Sequence, residues 1–263
     1  MKKLDGKVAI ITGAAKGLGA GVAEAYAKYG AKICLFDLSE KVEETAKIIQ
    51  EEYNVEVITA VGDVTKKDDV KKAVQKTVDT FGELNVVCCN AGVIRLLPFL
   101  EMKEEDLDYH INVNIKGVWN TCQASIPYLL ENGGGSIVIA SSVTGDLVAD
   151  GNESAYALTK SALVGLTKSL AMEFVDRNIR VNCTQLGYSL TPMVEGIALE
   201  TNPNNPESVI QDIAKGIPMK RLAKPIEVGE LFAFLGSDES SYITGGQFVI
   251  DGGATIPETN VVG

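Results

Sequence analysis

The stretch SAYALTK, residues 154–160, places Tyr156 and Lys160 four positions apart among small, helix-tolerant residues. On a helix the two side chains rise from one face, a turn apart. A phenol held beside an ammonium ion is a candidate proton donor of tuned pKa, the group required where an oxyanion must be protonated near neutral pH. The pair is short, and with eight tyrosines in 263 residues it can arise by chance. The rest of the chain has to give it work.

A second set of residues points to a cofactor. The apolar run KVAIIT (7–12) leads into TGAAKGLG, so Gly13, Gly17 and Gly19 stand where a strand turns into a helix. A dinucleotide site needs glycines there: the backbone can approach the pyrophosphate, whose charge meets the free N–H groups of the helix start. Lys16 and Leu18 lie in the same loop and join the candidate cofactor contacts. The spacing is G-x-x-x-G-x-G rather than G-x-G-x-x-G, and glycines at helix starts also serve tight packing. The next strand ends at Asp37, 18 residues after Gly19. A carboxylate there accepts both ribose hydroxyls of NAD and repels the 2′-phosphate of NADP. Lys16 pulls modestly the other way, but Asp37 is nearer and better placed, so NAD is expected. Asp37 can also be read as a cap for the following helix, a role that Ser39 fills as well.

The elements that must position these groups are legible as an alternation. KVAIIT (7–12), AKICLFD (31–37), VEVITA (55–60), LNVVCCN (84–90), SIVIAS (136–141), IRVNCT (179–184) and QFVID (247–251) are short apolar runs rich in Val and Ile. Longer amphipathic stretches such as GVAEAYAKYG and KKDDVKKAVQKTVDTFG separate them. Wholly apolar strands alternating with helices predict a parallel sheet covered on both faces. The expectation is one α/β domain over 1–263, a doubly wound Rossmann fold of about seven strands. Residues 187–224, with TNPNNPES and a short helix PESVIQDIAKG, break the pattern and are expected to form a substrate lid.

Composition removes several function classes. The formal net charge is −11 at pH 7, which disfavours nucleic acid and anionic membranes as partners. A hydrophobic fraction of 46% with mean hydropathy +0.11 provides for a core, and no apolar run is long enough to cross a bilayer. The start, MKKLDGKVAIITG, lacks the extended apolar region of a signal peptide; a cytoplasmic protein is expected. Five cysteines (Cys34, Cys88, Cys89, Cys122, Cys183) show no metal-ligand spacing and sit mostly in apolar runs, as reduced core thiols do. The single histidine, His110, excludes multi-His metal sites, and its default role is structural.

TGAAKGLG, GDV at 62–64, CNAG at 89–92, Asn114 in NVNIKG, the serines of IASSVTG and YALTK occur in the order and spacing of the short-chain dehydrogenase/reductase family, of its classical subtype. The resemblance runs from residue 5 to IDGG at 250–253. It implies that Asp63 and Val64 flank the adenine, and that Asn90, Ala91 and Gly92 lie against the cofactor. It further implies that Ser142 hydrogen-bonds the substrate oxygen, Tyr156 exchanges the proton, Lys160 binds the nicotinamide ribose, and Asn114 holds a water linking Lys160 to solvent. Gly187, Ser189 and Thr191 would meet the nicotinamide end. The chemistry is coherent: an alkoxide needs a proton, a free phenol near pKa ~10 is poorly matched to neutral pH, and Lys160 would lower it.

Three departures from the family's pattern stand out. Ser142 and Tyr156 are 14 positions apart, one more than is commonest, with the extra residue expected to bulge within GDLVADGNE. Cys89 replaces an amide in CNAG, which predicts altered local hydrogen bonding with catalysis intact. Leu186 replaces a proline after the sixth strand and Ser189 a Val or Ile; the lost proline raises the loop's conformational freedom, so either a weaker nicotinamide affinity or a more mobile lid is expected.

The substrate pocket is expected from residues 93–97, 143–150, Tyr188 and the lid. Leu96, Leu97, Leu147, Val148 and Met193 would make it mostly apolar, with Thr144 within it and Arg95, Asp146 and Asp150 at its rim. A polyol or sugar and a hydroxysteroid both suit it. A 3-oxoacyl thioester on a carrier protein is disfavoured, since carrier proteins are acidic and so is this chain. A catalytically quiet NAD-sensing protein on the same fold is the alternative of a different class. The family's pairing of helices between subunits implies a homotetramer, or a homodimer, and the C-terminal GGATIPETNVVG could reach a neighbour.

Overall fold

The computed structural model describes residues 2–257. ETNVVG, residues 258–263, and with it the expected reach of the C-terminus, lies outside the described residues. The apolar runs become strands β1 (Val8–Thr12), β2 (Lys32–Asp37), β3 (Val57–Val61), β4 (Val86–Cys89), β5 (Gly135–Ala140), β6 (Ile179–Leu186) and β7 (Gln247–Ile250). All pair in parallel, in the order β3-β2-β1-β4-β5-β6-β7. Every residue of β1 and of β4 is buried. That requires cover on both faces and accounts for runs without polar alternation.

The cover comes from helices α1 (Gly17–Lys28), α2 (Val42–Tyr53), α3 (Lys67–Phe81), α4 (Glu104–His110), α5 (Gly117–Glu131), α6 (Ser154–Phe174), α7 (Pro192–Thr201), α8 (Pro206–Gly216) and α9 (Pro225–Gly236). One core joins Ala9, Ile11 and Leu35 of the sheet to Val22 and Tyr26 of α1 and Phe232 of α9. The other joins Ile10, Val87 and Ile139 to Val74 of α3, Cys122 of α5 and Leu163 of α6. Between α4 and α5 the helix widens into a π turn, Ile111–Lys116, with Asn114 buried in it. Residues 187–224 hold α7 as well as the expected helix PESVIQDIAKG, which is α8. They meet in a small core of their own, Val194, Ile217 and Leu222.

The chain passes from β1 outward to β2 and β3, then returns to β4 on the other side of β1. Loops that diverge at such a switch point leave a crevice beyond the carboxyl ends of the strands, and the candidate residues collect there.

Candidate active site

The cleft has a volume of about 580 Å³ and is lined at one end by Gly13, Lys16, Gly17, Leu18 and Asp37. Gly13 has φ +68° and a Cβ there would stand 2.8 Å from the Cα of Ala91; a Cβ on Gly19 would collide with the carbonyl of Gly13. These positions admit only glycine, and Gly19 serves packing, set back from the lining. No side chain caps the start of α1 and no carboxylate lies in its first turn, so its N–H groups are left to meet an anion. Asp37 accepts from the Ala15 N–H at 2.9 Å and the Ser39 N–H at 2.8 Å, which ties β2 to the glycine loop. Its carboxylate keeps acceptor capacity toward the cleft. The residues therefore fit a dinucleotide: an uncapped helix start for phosphates and a carboxylate beside it for a ribose. Asp63 and Val64 line the cleft beyond Asp37.

The end of β4 clamps the glycine loop. Asn90 Nδ2 donates to the carbonyls of Thr12 at 3.0 Å and Gly13 at 3.2 Å, and Thr12 Oγ1 accepts from the N–H groups of Asn90 and Ala91. The Asn90 side chain is thus committed to the protein, while Asn90, Ala91 and Gly92 line the cleft. Cys89 points into the core, where its Sγ lies 3.9 Å from that of Cys122. All five cysteines are free and buried.

At the other end, α6 carries Tyr156 and Lys160 into the cleft. Lys160 Nζ donates to the Ala140 carbonyl at 2.9 Å and stands 5.5 Å from the centre of the Tyr156 ring. Ser142, after β5, donates to the Leu186 carbonyl at 3.4 Å and accepts from the Thr144 N–H at 3.1 Å. The expected lowering of the phenol does not arise from the chain alone. Burial pushes Tyr156 up to about 12; Ser142 draws it down, and Glu153 and Tyr188 push it further up. Burial likewise pushes Lys160 down to about 8. Desolvation is the largest cause of both shifts, with Lys160 Nζ 5.5 Å from the ring centre.

Asn114 sits behind the cleft. It accepts from the Val93 N–H at 2.8 Å and donates to the Val93 carbonyl and Thr159 Oγ1, both at 3.0 Å. The π turn presents it there, as such turns often do at sites of function. A Cβ on Gly92 would stand 3.5 Å from both Asn114 Oδ1 and Lys160 Nζ, so the two groups face each other across that glycine.

Thr144, Gly187, Tyr188, Ser189, Thr191 and Met193 line the cleft as well. Leu147 and Arg95 do not. Arg95 turns outward to Asp106 at 2.7 Å and stacks over Tyr109 at 4.2 Å. Asp146 is likewise engaged, accepting from Gln185 at 2.8 Å. The default for His110 was right: it accepts at Nε2 from the Arg95 N–H at 3.0 Å and donates at Nδ1 to the Asp106 carbonyl at 2.7 Å. The extra residue before Tyr156 falls in a segment pinned by Gly145 N–H to Val148 O at 2.7 Å and Leu97 N–H to Asn152 O at 3.0 Å. In the loop after Leu186, Gly187 donates to Ile250, Leu190 to Ala223 and Ala223 to Tyr188, at 2.8–3.0 Å. Glu153, Tyr109 and Ile197 also line the cleft and were not singled out. For Glu153 a signal existed, a carboxylate three residues before Tyr156.

Comparison with known proteins agrees with this geometry. A family model described as enoyl-(acyl carrier protein) reductase matches residues 13–255. Oxidoreductase UcpA of Salmonella typhimurium is 52% identical over the full length of both chains. The chain is a short-chain dehydrogenase/reductase. The family member FabG of Thermotoga maritima, named a 3-oxoacyl-[acyl-carrier-protein] reductase, is 40% identical over 97% of this chain and all of its own. The structure of L-sorbose reductase from Gluconobacter frateurii, complexed with NADPH and L-sorbose, superposes with a TM-score of 0.92 at 30% identity, covering 98% of this chain and all of that one. Among the described residues no helix is long and apolar enough to cross a membrane.

Proposed function

We propose that this short-chain dehydrogenase/reductase interconverts a secondary alcohol and a ketone, with NAD as its cofactor and Tyr156 as general acid/base. The observation that carries the reading is one cleft with the glycine loop and Asp37 at one end and Ser142, Tyr156 and Lys160 at the other. When bound, the oxidised cofactor supplies a hydride acceptor and a positive charge beside the phenol.

The chain's own residues do the rest. Ser142 donates to the substrate oxygen as charge develops on it. Tyr156 takes the hydroxyl proton in oxidation and returns it in reduction. Lys160 holds the ribose and, with the water that Asn114 would retain across Gly92, passes the proton onward. Gly187, Ser189 and Thr191 receive the nicotinamide end, and Asp63, Val64 and the segment 90–92 receive the adenosine half. Asp37 supports NAD over NADP despite the exposed Lys16. The segment 187–224 acts as a lid, since Met193 and Ile197 of α7 line the cleft. The mostly apolar lining with a few polar groups suits a polyol or sugar, or a hydroxysteroid. The enzyme works in the cytoplasm as a homotetramer.

The likeness to FabG favours a second reading, reduction of a 3-oxoacyl thioester. The net charge of −11, and a turn before β5 (LLENGGG) without a basic residue, weigh against an acidic carrier protein. A screen of alcohol oxidation over polyols, sugar acids and hydroxysteroids, with NAD and NADP side by side, tests the proposal. Turnover with NAD is the expected result, and a preference for NADP contradicts the role of Asp37.

A further inference from the structure

Glu153 stands immediately before α6, in the segment lengthened by one residue. It is 8% exposed and lines the cleft. Its Oε2 has no hydrogen-bond partner among the described residues, and its side chain does not cap α6. Its neighbours are the Thr144 side chain, which favours its charged form, the carboxylate of Asp150, and the phenols of Tyr156 and Tyr188. A buried carboxyl oxygen without a partner is costly, and such groups are ordinarily satisfied by protein, water or ligand. No cation compensates this one, and the side of it that meets the cleft is where a substrate lies.

The chemistry of the surroundings selects the substrate group. A carboxylate or phosphate would be repelled by Glu153 and Asp150. A purely apolar ring would leave Oε2 unpaired. Burial and Asp150 push the carboxyl above its usual range, so the group that meets it has to pair with it whether or not it carries its proton. A neutral hydroxyl can donate or accept and pairs with the carboxyl in either state.

We propose that Glu153 is a specificity-determining residue that hydrogen-bonds a neutral hydroxyl close to the reacting carbon, so that the substrate is a neutral polyol or the corresponding hydroxyketone. This rests on the dehydrogenase reading above. It chooses the polyol over the hydroxysteroid and excludes hydroxy acids.

The test uses a matched set of secondary alcohols: isopropanol, propylene glycol, isopropanolamine and 3-hydroxybutyrate, with their longer homologues. They carry a hydrogen, a hydroxyl, an ammonium or a carboxylate at the same place. The wild-type enzyme should show a kcat/KM for the diols about tenfold above the mono-alcohols. Glu153→Leu should bring that ratio close to one, through KM for the diol, with NAD affinity unchanged. Glu153→Gln, which keeps a donor and an acceptor, should lose no more than about threefold of it. A wild-type preference for the mono-alcohol, the amine or the acid overturns the assignment, as does a Glu153→Leu enzyme that keeps the diol preference. An enzyme that binds NAD and oxidises no alcohol of any kind contradicts the dehydrogenase reading itself, a different outcome.

Discussion

Lys160 and Tyr156 hold their protons in a cleft where burial disfavours charge, and this has a thermodynamic consequence. Lys160 is pushed from 10.5 down to about 8 in the folded protein. Between those values the native state holds fewer protons than the unfolded chain, so the penalty on stability is largest below pH 8 and relaxes as pH rises toward 10.5. Lys160→Met should therefore be more stable than the wild type at neutral pH by roughly 1–2 kcal/mol, the lost bond to Ala140 taking back part of the gain. Denaturant titrations across this range check it, and the gap should close toward high pH. At this scale the sequence was legible for which groups meet at one cleft, such as Tyr156, Lys160, Asp37, Gly13 and Gly17. It was not legible for Glu153 or for the orientation of Arg95. Those depend on how residues 93–97 and 145–153 lie against each other, through His110 and the Leu97–Asn152 bond, and no local pattern encodes that.

At the scale of elements, the glycine loop is the most constrained part of the molecule. Gly19→Ala places a methyl group against the carbonyl of Gly13, so α1 must shift away from β1. The expected result is a loss of about 1–3 kcal/mol of stability and an NAD dissociation constant raised roughly tenfold or more, read by thermal unfolding and by titration. All seven strands were visible as apolar runs, because burial on both faces leaves a continuous rather than an alternating signal. The π turn at Ile111–Lys116 was not visible, since INVNIK is compatible with an ordinary helix and the widening is imposed by the packing of Asn114 against Val93 and Thr159. Helix α7 was missed for a related reason: PMVEGIALET has no clear apolar stripe, and what starts it is Thr191 capping Val194 with Pro192 in the first turn. The bonds that hold the loop after Leu186 to Ala223 and Ile250 were not legible, because both partners are distant in sequence.

Over the whole molecule, the outer faces of α5 and α6 carry apolar side chains that the monomer leaves uncovered: Trp119 is 53% and Met172 79% exposed, with Leu158 between them in sequence. Exposed aromatic and aliphatic groups on two helices suit burial against another copy. Light scattering should give a mass near four chains of 28.0 kDa, and Trp119→Glu should reduce it while the fold survives. An unchanged monomer mass for the wild type contradicts the tetramer. The central claim is that the molecule is a dehydrogenase whose phenol moves the proton. It is tested most directly by comparing Tyr156→Phe with the wild type on one oxidised alcohol, with NAD affinity measured on both. The account predicts that kcat/KM falls roughly a hundredfold to ten-thousandfold while the NAD dissociation constant stays within about twofold, since the cofactor rests on the glycine loop and Asp37. A Tyr156→Phe enzyme that turns over like the wild type contradicts it.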